Sequence, residues 1–275
     1  MSLRYIKEII SSPVTVLKNL YIYRHILLQM VINETKGKFA GSLGGFLWNF
    51  ANPILMMISY LFVFVYIFKL RVSATAGAGA SAIYIMAGLF PWIIISEGLS
   101  RGTASIIENA NLVQKTPFPT EILTAKAVIA PFLSFGAALI LLVLYKIIFA
   151  GSFGLLFILP FILLFQIFFT LGTAFLCTTL SVFFRDFIQM VQVIINFWFY
   201  LTPIIYPVDL LPEWARTAML FNPVYPFVAV YHSLFAEPSS VQPHMMLYAF
   251  AWSLVLFIAG AFIFNKLKYE FADWL

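Results

Sequence analysis

Residues 147–184 read IIFAGSFGLLFILPFILLFQIFFTLGTAFLCTTLSVFF, with no Asp, Glu, Lys or Arg in the run. A bilayer core takes about 20 apolar residues at about 1.5 Å each, so this stretch is too long for one crossing. Gly151-Ser152-Phe153-Gly154 offers a tight turn that divides it. Residues 47–68, 127–145, 187–208 and 238–265 are equally free of charge. Across 275 residues, 63% are hydrophobic and 10% charged, against about 25% charged in a soluble domain. So few charges would leave a soluble globule with large exposed apolar patches. The chain therefore reads as an all-α polytopic membrane protein.

Working outward, six spans are expected at about 44–68, 82–101, 121–148, 154–183, 187–206 and 246–267. Residues 217–236 are apolar too, but Asn222-Pro223 and Pro226 cut them into pieces too short to cross. With Pro203, Pro207 and Pro212 upstream, 207–236 reads as short re-entrant helices, of the kind that line a pore mouth. At the other end, Ser12-Pro13 has the form of a helix start, serine as cap and proline at the first position. Residues 12–38 then gather Lys18, His25, Gln29, Asn33 and Lys36 on one face and read as an amphipathic interface helix. The plainer alternative is a helix packed on the rest of the protein. No cleavable signal peptide is expected, because charges interrupt residues 1–38.

An even number of spans puts both termini on one side. With that side cytoplasmic, Arg4, Lys7, Lys18, Arg24, Lys36, Lys38, Arg101, Lys115, Lys126, Arg185, Lys266 and Lys268 face the cytoplasm. Only Lys69, Arg71, Lys146 and Arg216 face away. This asymmetry is the positive-inside rule at work, so the net charge of +5 is topological and no nucleic-acid partner is implied.

Absences narrow the function. There is no phosphate-cradling G-x-x-x-x-G-K-[ST] loop, no H-E-x-x-H and no G-x-S-x-G. The lone Cys177 excludes an intrachain disulfide and a thiol metal cluster, and no metal site is expected. No acid sits deep in a span, as ion coupling would require. Glu97 comes nearest, and Arg101 four residues on can pair with it as a structural ion pair. Arg101 to Lys115 is a polar stretch closed by Thr116-Pro117-Phe118-Pro119, and it reads as a short cytoplasmic helix over 102–115. Such a helix is either a connector or a lever on which a partner pushes.

Four stretches, in order along nearly the whole chain, resemble one family. They are Gly41-Ser-Leu-Gly-Gly-Phe-Leu-Trp48 with Pro53; Gly88-Leu-Phe-Pro-Trp92; Asn111-Leu-Val-Gln-Lys115 with Phe118-Pro119 and Glu121; and Arg185-Asp186 with Leu201-Thr-Pro-Ile-Ile-Tyr-Pro207 and Phe221-Asn-Pro223. The chain is similar to the permease subunits of ABC-type exporters of bacterial surface polysaccharides, the Wzm, KpsM and TagG type. The resemblance implies a homodimer in the bacterial inner membrane, bound to two copies of a separate cytoplasmic ATPase that holds the ATP and Mg. No cofactor on this chain is implied. It further implies that 102–115 is the coupling helix, with Glu108, Asn109, Asn111, Leu112 and Lys115 facing the ATPase. Residues 12–38 would form a gate helix and 207–236 periplasmic pore helices.

A lipid-linked glycan is the implied cargo, O-antigen first and capsule next. Teichoic acid, or a drug or small lipid, is the alternative cargo for the same architecture. A membrane-bound transferase is the reading from another class, and no catalytic acid or histidine supports it. Sugar rings stack on aromatic surfaces, so Trp48, Trp92, Phe197, Trp198, Tyr200 and Tyr206 are candidates for the channel or its mouths. Aromatic belts at the membrane interface are the competing explanation for the same residues.

Overall fold

A computed structural model describes residues 3–37, 47–71, 77–150, 155–236 and 242–275, and among these there is no strand. In chain order the helices are α1 (Leu3–Ile22), α2 (Arg24–Gly37), α3 (Trp48–Leu61), α4 (Ala78–Glu108), α5 (Ala110–Lys115), α6 (Glu121–Ser134) and α7 (Gly136–Ala150). They continue as α8 (Leu159–Phe183), α9 (Phe187–Leu201), α10 (Glu213–Met219), α11 (Tyr225–Phe235), α12 (Pro243–Leu267) and α13 (Phe271–Trp274). Three helical stretches are each long and apolar enough to cross a membrane: Ala78–Glu108, Leu156–Phe183 and Pro243–Trp274. The pair α6 and α7 makes a fourth if its 40° bend is taken as one broken span. Pro131 and Gly136 bracket that bend, the proline by withholding a backbone donor. α9, and α3 with its extension, are shorter.

α4 is the axis of the molecule. It packs against α8, α6, α11, α9 and α3, and most of its residues from Ser81 to Ile106 are buried. Small residues let its neighbours approach. Gly98 and Gly102 face α8, where an added Cβ would press on Thr170 and Ala174. α8 and α12 come closer still. A Cβ at Gly172 would fall on the backbone of Leu256 and Phe257, and one at Gly260 on the backbone of Gly172. Lipid offers helices no hydrophobic incentive to associate, so such backbone contact is how dispersion forces bind them.

Two apolar clusters lie along α4. One gathers Ile83–Leu99 with α9 and α11. The other gathers α1, α2, α6, the second half of α8, and the end of α12 with Phe271.

Several boundaries depart from expectation. The N-terminal helix begins at Leu3 rather than at Ser12, and Pro13 lies inside it. Proline forfeits only its own N–H bond, and Ser12 instead donates its hydroxyl to the Glu8 carbonyl at 2.8 Å. The segment is also two helices rather than one, broken at Tyr23. α1 packs on α12 and α2 on α6, so one face of this segment is a protein contact.

The coupling segment is not a separate helix over 102–115. α4 continues unbroken to Glu108, and only α5 stands apart. Residues 102–106 are buried there, which makes the span and its extension one rod of about 46 Å. α9, in the place of the fifth expected span, stops at Leu201, because Thr202 must be extended before Pro203. α3, in the place of the first expected span, is prolonged by a π-helical stretch, Phe62–Ile67. The glycine turn at 151–154 and the motif residues 41–46 lie outside the described residues.

Candidate functional site

α4 ends where Asn109 leaves helical geometry at φ −111°. The Asn109 side chain turns back, Nδ2 donating to the Ser105 carbonyl at 2.7 Å, which satisfies one orphan acceptor of the last turn. α5 follows at once and closes at Thr116, whose hydroxyl donates to the Leu112 carbonyl at 2.7 Å. Of the coupling candidates, Glu108, Asn111 and Lys115 are exposed, while Asn109 and Leu112 are half-buried. Leu112 and Val113 rest on the second apolar cluster, and α13 packs beside α5. The result is a polar edge held on an apolar footing, a shape suited to receiving pressure from outside.

One turn above, charges from three helices converge. Arg101 reaches Glu97 on its own helix at 2.8 Å and Glu34 of α2 at 3.0 Å. Lys126 of α6 reaches the other oxygen of Glu34 at 3.3 Å. Glu34, Arg101 and Lys126 border a cavity of about 640 Å³ together with Asn33, Ser105 and Glu108. A second cluster lies behind α5. Glu121 is almost fully buried and accepts hydrogen bonds from Asn19 of α1 and from Lys268, whose Nζ is 3.3 Å away. A buried carboxylate is tolerable only when paired in this way. Sequence reasoning finds Glu97–Arg101 because i,i+4 is a local spacing. It misses Glu34, Lys126, Glu121 and Lys268, whose partners are remote in the chain and leave no periodic signal.

Toward the other end of α4, the second and fourth of the quoted stretches meet. Gly88 has no side chain because the Ile204 carbonyl and the His232 ring occupy that space. His232 stacks on Tyr84 with ring centroids 3.6 Å apart. Trp198 donates its Nε1–H to Asn222 Oδ1 at 2.9 Å, and Asn222 donates to the Thr202 hydroxyl at 2.9 Å. Trp92 meets the edge of Trp198 at 6.3 Å. The carbonyl of Pro91 accepts from Gln166 of α8 at 3.0 Å, and Gln166 in turn accepts from the Tyr231 hydroxyl of α11 at 3.0 Å. The non-helical stretch Thr202-Pro203-Ile204 is thereby buried in protein, as bare backbone at membrane depth must be.

The six aromatic candidates do not form one patch. Trp92 is 6% exposed and belongs to the helix core, where Trp198 packs on it. Phe197 and Tyr200 project outward from α9, each 68% exposed. Tyr206 donates its hydroxyl to the Tyr200 carbonyl at 3.0 Å, behind that face. Trp48 is exposed at the start of α3. Tyr60, which touches Phe199, is about 18 Å further along the same helix. Lys146, expected at the non-cytoplasmic end of the third span, sits fully buried within α7, and its Nζ has no hydrogen-bond partner among the described residues.

Several helices among the described residues keep outward apolar faces, α7, α8 and α12 included, and two of these faces carry candidate residues. On α9 they carry Met190, Val193, Ile194, Phe197, Tyr200 and Leu201, with Gln189 and Asn196 among them. On α3 and its π-helical extension they carry Leu55, Ile58, Phe62 and Tyr66.

The family model for ABC-2 type transporters matches residues 27–236. The O-antigen export system permease protein RfbA of Klebsiella pneumoniae is 29% identical over 256 residues, 92% of this chain and 96% of the relative. That of Myxococcus xanthus is 29% identical over 264 residues, 94% of this chain and 99% of the relative. The matched segment runs from α2 to the end of α11 and so takes in the central rod, α5 and the packed motifs around Gly88. With most of its length matched in this way, the chain belongs to the ABC-2 type transporter family.

Proposed function

We propose that this chain is the permease subunit of an exporter that moves a lipid-linked surface polysaccharide, O-antigen first among the candidates, across the bacterial cytoplasmic membrane. It acts as a homodimer of six-span subunits with both termini cytoplasmic. Two copies of a cytoplasmic ATPase hold the ATP and Mg and supply the work. The observation that carries this reading is the unbroken run of α4 from the packed motifs around Gly88 and Trp92 to the exposed edge at Glu108 and α5. A push delivered at Glu108 reaches Trp92, about 24 Å away, along unbroken helix, and α5 joins that rod at the Asn109 break.

The span count adds the bent α6–α7 pair, α3 with its π-helical extension, and α9 prolonged by 202–206. The orientation follows from the basic residues, twelve against four. The outward faces of α3 and α9, where aromatic side chains are exposed, support a dimer in which a second copy or the cargo covers them. Near the α9 exit Phe197 and Tyr200 give sugar rings a surface to slide on, while Trp92 and Trp198 hold the helices that carry them.

The full permease with its ATPase, reconstituted into vesicles, should turn over ATP in a manner that depends on the lipid-linked glycan, and should carry that glycan across. ATP turnover indifferent to the glycan, with no glycan movement, would sink this reading.

A further inference from the structure

The charge cluster at Glu34, Arg101, Glu97 and Lys126 is more than a staple. Arg101 has two acids, one on its own helix one turn back and one on α2. If α2 moves away, Arg101 keeps Glu97 at 2.8 Å and is not left as a bare buried charge. Glu34 is the member that would lose both cations. Its side chain is 25% exposed on the rim of the 640 Å³ cavity, while Oε2, the oxygen 3.3 Å from Lys126, is itself buried and has no hydrogen-bond partner among the described residues. Lys126 and Arg101, at 18% and 26%, border the same cavity. Opening this contact exchanges the ion pairs for hydration and lets water reach an oxygen that lacks a hydrogen bond when closed, so it costs less than opening a fully buried and fully bonded pair.

Contrast the neighbouring pair Glu121–Lys268, where the acid is 1% exposed and is also held by Asn19. That pair is built to stay closed. The two clusters divide the N-terminal segment accordingly: α1 is tied by the closed pair and α2 by the openable one. α2 leads through residues 38–46 to the first span, and Arg101 lies seven residues before the end of the rod.

We propose that Glu34 is a positioning residue for transport, joining α2 to the α4 rod through Arg101 and Lys126 in a contact that opens and re-forms as the rod is displaced. The inference rests on the reading of 108–115 as the ATPase contact and adds where that displacement is handed to the N-terminal segment.

The test uses the full permease–ATPase complex in vesicles and compares Glu34→Gln, Glu34→Asp and Leu112→Asp. Glu34→Gln should keep the ATPase bound and ATP turnover within about twofold of wild type. Glycan moved per ATP should fall about tenfold, a size typical of a coupling between sites. Glu34→Asp, which restores the charge, should recover at least half of the loss. Spin labels at exposed Gln29 and half-buried Ile107, in a Cys177→Ser background, should report two distances on ATP addition in the parent and one in Glu34→Gln. The proposal is overturned if Glu34→Gln moves as much glycan per ATP as wild type, or if Glu34→Asp gives no recovery. It is equally overturned if the two-distance pattern survives in Glu34→Gln. Leu112→Asp reports on the underlying reading: if it leaves ATPase binding intact, the coupling assignment itself fails, whatever Glu34 does.

Discussion

At Gly172 and Gly260 the chain has no room for one carbon atom. The Cβ of an alanine at either position would meet backbone, which cannot rotate aside as a side chain can. Gly260→Ala or Gly172→Ala should therefore cost about 1–3 kcal/mol, the usual price of overpacking. Thermal unfolding in detergent should show a clear drop in Tm. Gly79→Ala and Gly136→Ala, where nothing lies within 4 Å, are the controls and should leave Tm in place. A second residue-scale expectation concerns Tyr231. Its hydroxyl is the donor that satisfies Gln166 Oε1, so Tyr231→Phe strands a buried acceptor and should cost about 1–3 kcal/mol. An unchanged Tm for Tyr231→Phe would mean that Gln166 has another donor.

Aromatic residues show why single positions were hard to assign from sequence. Trp92 and Tyr200 are equally plausible as glycan platforms on composition, yet one is core and the other faces outward. Nothing local distinguishes them; the difference arises when Trp198 and Asn222 close over α4. The two should separate by experiment. Trp92→Ala should lose about 3–5 kcal/mol of stability, as large aromatic truncations in cores do. Tyr200→Ala should leave Tm nearly unchanged while lowering glycan export by the assembled complex. If Tyr200→Ala exports normally, the outward face of α9 is not on the cargo's route.

At the scale of elements, the rod α4 was legible only in part. Its apolar half announces itself by composition, and its polar end looks like a new helix because hydropathy falls sharply after Glu97. Backbone geometry has no such boundary. Gly98, Gly102, Thr103 and Ser105 continue the helix because α6 and α8 bury them, with the Ser105 hydroxyl 3.0 Å from that of Thr124. Polar residues that satisfy one another between helices read as a loop in one dimension and as a core in three. Ser12-Pro13 misleads for a related reason. A serine–proline pair fits a helix start, and also fits a helix interior where the hydroxyl bonds the preceding turn. By contrast α8 and α12 were plain from the sequence, since a long uncharged run has few other fates.

For the whole molecule, the all-helical membrane class and the family were readable from the order of charge-free runs and quoted motifs. The contacts among those motifs were not, because each joins residues far apart in the chain. The arrangement predicts how copies should associate. In a Cys177→Ser background, cysteine at Val193 or Ile194 on the open face of α9 should cross-link two subunits. Cysteine at Leu254, exposed on α12, should not. The reverse pattern, read by gel mobility in native membranes, would place the dimer contact on the other side.

The α8–α12 crossing also has a meaning for how the protein is made. Helices inserted one after another from the ribosome can pack only on those already present. Gly172 enters the membrane long before Gly260 exists, so the tightest joint in the subunit stays unfilled until the last long helix arrives. During that interval the bare glycine track on α8 is a vacancy, open to lipid or to an insertion chaperone. Birth order thus leaves the early helices provisional, and the final span is the keystone that sets them.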